Sequence, residues 1–192
     1  MIVSPGFSDA ERGQIAALYW QVFGQKLGRI MHPEPKALRF IETVLRPDHA
    51  LTARTEGGAL LGVAGFKTTN GALVGGTAGD LRRIYGPWGG AWRGTLLQLL
   101  ERDTENRRFL MDGLFVDPAT RGQGVGTALL AALYEEGRSR GYREIRLDVI
   151  DTNPRARLLY EREGFHAIKT DNIGLLRHLF SFEASTTMVR PL

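Results

Sequence analysis

Apolar residues recur along this chain with two periods, and the alternation between them lays out its elements. Ile15, Leu18, Tyr19, Val22 and Phe23 fall three and four apart, the stripe of an amphipathic helix. Ser8 followed by Glu11 forms a capping box at its start, so the predicted helix runs from Ser8 to about Leu27. The segment GRIMHPEP (28–35) reads as a loop, and Leu38, Ile41, Val44 and Leu45 mark a second helix near Lys36 to Leu45. Ala50–Arg54 and Leu60–Lys67 then read as strands joined through Glu56-Gly57-Gly58, which is hairpin chemistry.

The stretch 68–107 breaks this regularity. It holds Gly71, Gly75, Gly76 and Gly79, the short piece LRRIY, the turn-rich run Gly86-Pro87-Trp88-Gly89-Gly90, and a predicted helix from Ala91 to about Arg102 with Trp92, Leu96, Leu99 and Leu100 on one side. Two uses suit such an insert: packing against the core, or service as a substrate lid or homodimer contact.

Regular patterning returns with the strand Phe109–Val116, the loop DPATRGQGVG, and a helix from Thr127 to about Arg140 that Gly141 closes. The strand Glu144–Ile150 follows at once. Strand, helix and strand with short joins imply a right-handed parallel crossover. A further helix starts at Asn153-Pro154 and ends at Gly164, and the strand Phe165–Thr170 comes next. Asn172–Phe182 fits either a short helix or a loop, and Thr186–Val189 reads as a last strand. With no internal repeat and no linker, the whole of 1–192 is expected to form one domain.

Composition narrows the classes. Apolar residues at 43% and charged residues at 24% are the balance of a globular chain. No apolar run has the length of a membrane span, and the N-terminus lacks a secretory signal, so the expected location is the cytoplasm. There is no cysteine, which removes disulfides, thiolate metal sites and a covalent cysteine intermediate. The net charge is +4 and the pI about 9.7, with arginine for every basic residue except Lys26, Lys36, Lys67 and Lys169. Those arginines are interleaved with acids on predicted helices. They read as a solvated surface rather than a nucleic-acid face, with a few to spare for an anionic ligand.

The loop Arg121-Gly122-Gln123-Gly124-Val125-Gly126 carries the chemistry. Glycine at alternate positions lets successive N–H groups turn into one concavity, and the loop opens into a helix whose first-turn N–H groups lack partners. Arg121 adds a fixed positive charge. The natural guest is a pyrophosphate. A P-loop would need lysine at 126 and a dinucleotide fingerprint would need glycine at 127, and neither is present.

With Arg121, Gly124 and Gly126 matching Q/R-x-x-G-x-G/A after Val116-Asp117-Pro118, the sequence resembles the GCN5-related N-acetyltransferase (GNAT) superfamily. A second match lies in Asn153, Ala156, Tyr160 and Gly164-Phe165 of NPRARLLYEREGF, and the resemblance is strongest over 109–166. It implies an α/β fold: a mixed, mostly antiparallel sheet of six or seven strands with helices on both faces, strands four and five being parallel and splayed. It implies acetyl-CoA as acyl donor, its pantetheine arm along the backbone of Leu114 and Val116. Arg121, Gly122, Gln123, Gly124, Val125, Gly126 and Thr127 would then hold the pyrophosphate, and Asn153 would meet the arm.

Tyr160 would lie by the sulfur; it shares a helix face with Asn153 and suits a general acid for the departing thiolate. Asp112, a carboxylate in an otherwise apolar strand, is the candidate general base, and an acceptor-binding or structural role is the alternative. The Leu114 N–H is the candidate donor to the thioester oxygen. The expected reaction is direct transfer of acetyl to a primary amine on a small molecule or peptide; a coenzyme-binding module without turnover and a longer acyl donor are the alternatives. His32, His49, His166 and His178 show no metal-ligand spacing. His32 and His178 lie where the acceptor site is expected to close.

Overall fold

The computed structural model describes residues 1–100, 107–174, 180 and 182–192. Its sheet has the order β1-β2-β3-β4-β5-β7-β6, built from β1 (Ile2–Pro5), β2 (Ala50–Arg54), β3 (Leu60–Lys67), β4 (Phe109–Val116), β5 (Glu144–Ile150), β6 (His166–Asn172) and β7 (Ala184–Pro191). The pair β4–β5 is parallel, and the other neighbours are antiparallel. The helices are α1 (Arg12–Met31), α2 (Glu34–Val44), α3 (Ala78–Leu100), α4 (Val125–Ser139) and α5 (Pro154–Arg162).

Two apolar cores lie on the two faces of this sheet. Ile15, Ile30, Phe40, Ile41, Leu81 and Phe115 belong to the one under α1, α2 and α3. Phe66, Phe109, Leu129, Leu133, Leu147, Tyr160 and Phe165 belong to the one under α4 and α5. A sheet apolar on both faces needs helices on both, and this sequence supplies them.

The predicted hairpin forms with the predicted ends, its turn closed by Thr55 N–H donating to the Ala59 carbonyl at 2.9 Å. The capping box forms too: the Glu11 carboxylate accepts from the Ser8 N–H at 2.7 Å. It caps a 3₁₀ turn, Asp9–Glu11, and α1 follows at Arg12.

Some boundaries differ. The helix expected to stop at Leu27 runs on to Met31, through the first half of the predicted loop. Its last turn is held from outside: Tyr85 donates to the Met31 carbonyl at 2.6 Å, and Arg93 to those of Ile30 (2.7 Å) and His32 (2.9 Å). Those partners compensate for the helix-weakening Gly28. In the insert, α3 begins at Ala78, well before the predicted Ala91, behind a second capping pair in which Thr77 and Asp80 bond reciprocally. Gly86, at φ 79°, breaks it only at the Gly86-Pro87 step, where proline starts a new helical run. The predicted end near Arg102 lies outside the described residues.

Strand β1 has no counterpart in the predicted elements. It exists by pairing with β2, Ile2 opposite Arg54 through Pro5 opposite Leu51, and by Arg54 reaching back to Ser4 (2.9 Å) and Glu11 (2.8 Å). Strand β6 starts one residue late because Phe165 N–H donates to the Tyr160 carbonyl at 2.9 Å and finishes the end of α5. Strand β7 extends two residues beyond the predicted end at each side.

Candidate active site

The parallel pair β4–β5 is joined only at Phe109 opposite Ile145 and Leu110 opposite Arg146. Beyond those residues the strands part, and a gap opens in the middle of the sheet. A bulge sits where they part. Gly65 stands opposite Gly113 and Phe66 opposite Met111, which leaves Asp112 as the extra residue of β4.

The bulge exchanges the faces of the strand. Phe109 and Met111 point into the core under α4, whereas Phe115, of the same parity, lies in the core under α1. Leu114 and Val116 turn toward α4 and α5 instead. Asp117 N–H donates to the Leu61 carbonyl at 2.9 Å, which fixes the bonded register with β3. In an antiparallel ladder bonded and non-bonded pairs alternate, so the N–H and C=O of Leu114 and Val116 face the gap.

At the top of the gap lies the glycine loop. Asp117 accepts from the Ala119 N–H at 2.9 Å and starts the turn Pro118–Thr120. Gly122 (φ 84°) and Gly124 (φ 80°) hold left-handed conformations, and a Cβ at either would meet no atom within 4 Å. The concavity is open, and glycine is there for the backbone it allows. Gly124 is the N-cap of α4, which therefore starts two residues before the predicted Thr127. The first intrahelical bond is Ala128 N–H to the Gly124 carbonyl at 3.0 Å. That leaves the N–H groups of Val125, Gly126 and Thr127 as the unpaired first turn. The Gln123 N–H is already donated to Thr120, at 3.3 Å. Gly126 packs tightly; a Cβ there would lie 3.2 Å from Leu159 of α5 and 3.7 Å from Leu114 of β4. Loop, strand edge and α5 thus meet at one corner, and the open cradle with its free donors and exposed Arg121 fits a pyrophosphate.

From α5, Asn153 caps its own helix, its Oδ1 accepting from the Ala156 N–H at 3.2 Å. Tyr160, two turns on, is only 7% exposed and meets Phe165 edge-on, ring centroids 5.8 Å apart. Burial, with a smaller contribution from Tyr134, pushes its hydroxyl well above the ordinary tyrosine value. Such a group stays protonated and is available as a donor.

Asp112 belongs to the other face. The ring of Tyr19, on α1, packs against Phe23 (centroids 4.7 Å) and Phe115 (5.2 Å). Alternation from Met111, which lies under α4, puts Asp112 on the α1 side of β4, and its charge adds to the burial that pushes up the Tyr19 hydroxyl. Gly113 faces the same way, and the Phe115 ring folds over it; a Cβ at Gly113 would come within 2.3 Å of that ring. The candidate acid and base therefore lie on opposite faces of the sheet. Sequence reasoning gave Tyr19 no role beyond the apolar stripe of the first helix and did not single out Tyr134.

The histidines scatter. His32 caps the C-terminus of α1, its ring edge-on to Trp20 at 6.1 Å. His49 is buried against Thr68 at 3.1 Å, His166 is exposed on β6, and His178 lies outside the described residues. Among the described residues no three His, Cys, Asp or Glu gather as a metal site, and no helix is long and apolar enough to cross a membrane.

The profile of the acetyltransferase (GNAT) family matches residues 14–165, most of the chain. The chain belongs to that family. Among curated GNAT relatives, it is 31% identical to a thialysine N-epsilon-acetyltransferase of Bos taurus over 74 residues, 34% of this chain and 44% of that protein. The match thus spans under half the length of that relative. Two solved structures share the fold across nearly the whole chain. An N-acetyltransferase from Staphylococcus aureus Mu50 superposes with a TM-score of 0.68 at 16% identity, covering 99% of this chain and 100% of that one. A GCN5-related N-acetyltransferase from Kribbella flavida gives 0.65 at 18%, covering 100% and 97%.

Proposed function

We propose that this GNAT protein is an N-acetyltransferase that passes acetyl from acetyl-CoA directly to a primary amine in a ternary complex, in the cytoplasm. The observation that carries this reading is the gap that opens where β4 and β5 part, with the open glycine cradle at the start of α4 beside it. In this reading, Arg121, the loop Gly122-Gln123-Gly124 and the free N–H groups of Val125, Gly126 and Thr127 hold the pyrophosphate. The backbone of Leu114 and Val116 pairs with the pantetheine arm, near Asn153.

Asp112 takes the proton of the acceptor ammonium from the α1 face, and the free amine attacks the thioester carbon. The Leu114 N–H steadies the charge that grows on the carbonyl oxygen. The carbon–sulfur bond breaks, and Tyr160 gives its proton to the leaving sulfur. The ammonium proton leaves with Asp112, the second proton of the attacking nitrogen passes to water as the intermediate collapses, the acetyl group ends on a neutral amide nitrogen, and no acyl-enzyme forms.

The name of the bovine relative makes lysine-like amines the first acceptors to try. A panel of thialysine, lysine, polyamines, aminoglycosides and peptide N-termini, followed by coenzyme A thiol release, tests the reading. At least one amine is expected to drive release. Tight coenzyme A binding with no release for any of them would turn the assignment toward a binding module.

A further inference from the structure

Tyr134 carries a hydroxyl that the fold buries and does not use. The residue is 6% exposed on the inner face of α4, and its Oη has no hydrogen-bond partner among the described residues. Apolar packing does not ask for that oxygen. The Arg190 guanidinium covers the ring at 4.0 Å and Phe165 touches it with centroids 6.2 Å apart, contacts that a phenylalanine would make equally well. Glu163, the carboxylate whose charge bears on this phenol, already accepts from the Thr127 hydroxyl at 2.8 Å. A buried orphan donor costs stability, and one kept beside a reacting group calls for a functional account.

The neighbour is Tyr160. Phe165 packs against both tyrosines, at 5.8 Å and 6.2 Å, and all three lie in the core under α4 and α5. Before the reaction Tyr160 is neutral and buried; once its proton has gone to sulfur, its oxygen is an anion in an apolar surround. That anion needs a donor, and Tyr134 is a buried donor with nothing else to serve.

We infer that Tyr134 is a positioning residue for the acid: its O–H donates to the Tyr160 oxygen as that oxygen loses its proton to the departing thiolate. The inference rests on the role of Tyr160 proposed above. Tyr134 keeps its own proton throughout, and Tyr160 regains one from water after the products leave.

Tyr134→Phe tests it, because the substitution removes the oxygen and leaves the ring. Wild type, Tyr134→Phe, Tyr160→Phe and the double variant are compared by Tm, and by kcat and KM with acetyl-CoA and the fastest amine of the panel. In Tyr134→Phe, Tm is expected to rise by about 2–4 °C, as an unpaired buried hydroxyl is lost. Its kcat is expected to fall about tenfold with both KM values unchanged, the loss of one hydrogen bond to a charged oxygen. In the Tyr160→Phe background the same change is expected to do nothing further. A fall in Tm would show that the hydroxyl is bonded in the resting fold, and would overturn the inference. Unchanged kcat in Tyr134→Phe beside a slowed Tyr160→Phe overturns it alone, and an added loss in the double variant does the same. Unchanged kcat in Tyr160→Phe removes the acid itself, and the inference goes with it.

Discussion

Tyr160 and Asp112 lie on opposite faces of the sheet and outside the glycine loop, so each can be changed without disturbing the pyrophosphate cradle proposed there. Tyr160→Phe keeps the packing against Phe165. It is expected to lower kcat about a hundredfold, a usual share for a general acid, while acetyl-CoA affinity stays within about twofold. Stopped-time thiol release and equilibrium binding separate the two quantities, and an unchanged kcat would remove Tyr160 from the mechanism. The spacing of Asn153 and Tyr160 was legible in the sequence because both sit on one helix, where seven residues make two turns. The setting of Asp112 was not. Its face depends on a one-residue bulge, and a bulge leaves no periodicity once the strand alternation has switched. Tyr19 and Tyr134 were hidden for another reason: an aromatic residue in an apolar stripe reads the same whether or not its hydroxyl matters.

At the scale of elements, local chemistry was legible and support from distant residues was not. The hairpin of β2 and β3 has its signal in its own turn. The end of α1 is set instead by Tyr85 and Arg93 from the insert, more than fifty positions away. The same holds at the N-terminus, where Arg54 of β2 donates to Ser4 of β1 at 2.9 Å and forms the Glu11–Arg54 pair with the first turn, N to O 2.8 Å.

That pair, with the Ser8 bonds, holds the Glu11 carboxyl at about 2 against an ordinary 4.5. A folded value below the unfolded one stabilises above about pH 4.5 and is lost as pH falls toward 2. Glu11→Gln is therefore expected to cost about 1–2 kcal/mol at pH 7, allowing for solvent at a partly exposed pair. The gap between the two melting curves should close as pH falls through that window; a gap independent of pH would contradict the linkage. In the loop before α4, Gly124→Trp sets a large side chain at a φ of 80° over the open cradle. Coenzyme A binding measured by calorimetry is expected to vanish with the fold retained by circular dichroism. Unchanged affinity would sink the role given to the loop.

The described residues form a seven-stranded sheet with a core on each face, and β4 and β5 part within it. The alternation of elements and both face coverings could be read from apolar patterning, because each helix stripe and each strand is a local signal. The seventh strand could not, since four residues hold as β1 only against β2. The splay was expected by resemblance alone, for two strands that part after two residue pairs leave the same sequence pattern as two that stay together. The chain has no cysteine to carry an acyl group, and in the proposed function donor and acceptor meet in the gap between β4 and β5. Direct transfer between two bound substrates is the central claim. The measurement that tests it is the initial rate of coenzyme A thiol release at crossed concentrations of acetyl-CoA and the fastest amine. Release that requires the amine, with double-reciprocal lines that intersect, is the predicted result. Parallel lines, the sign of a covalent acyl-enzyme, or release indifferent to the amine would contradict it.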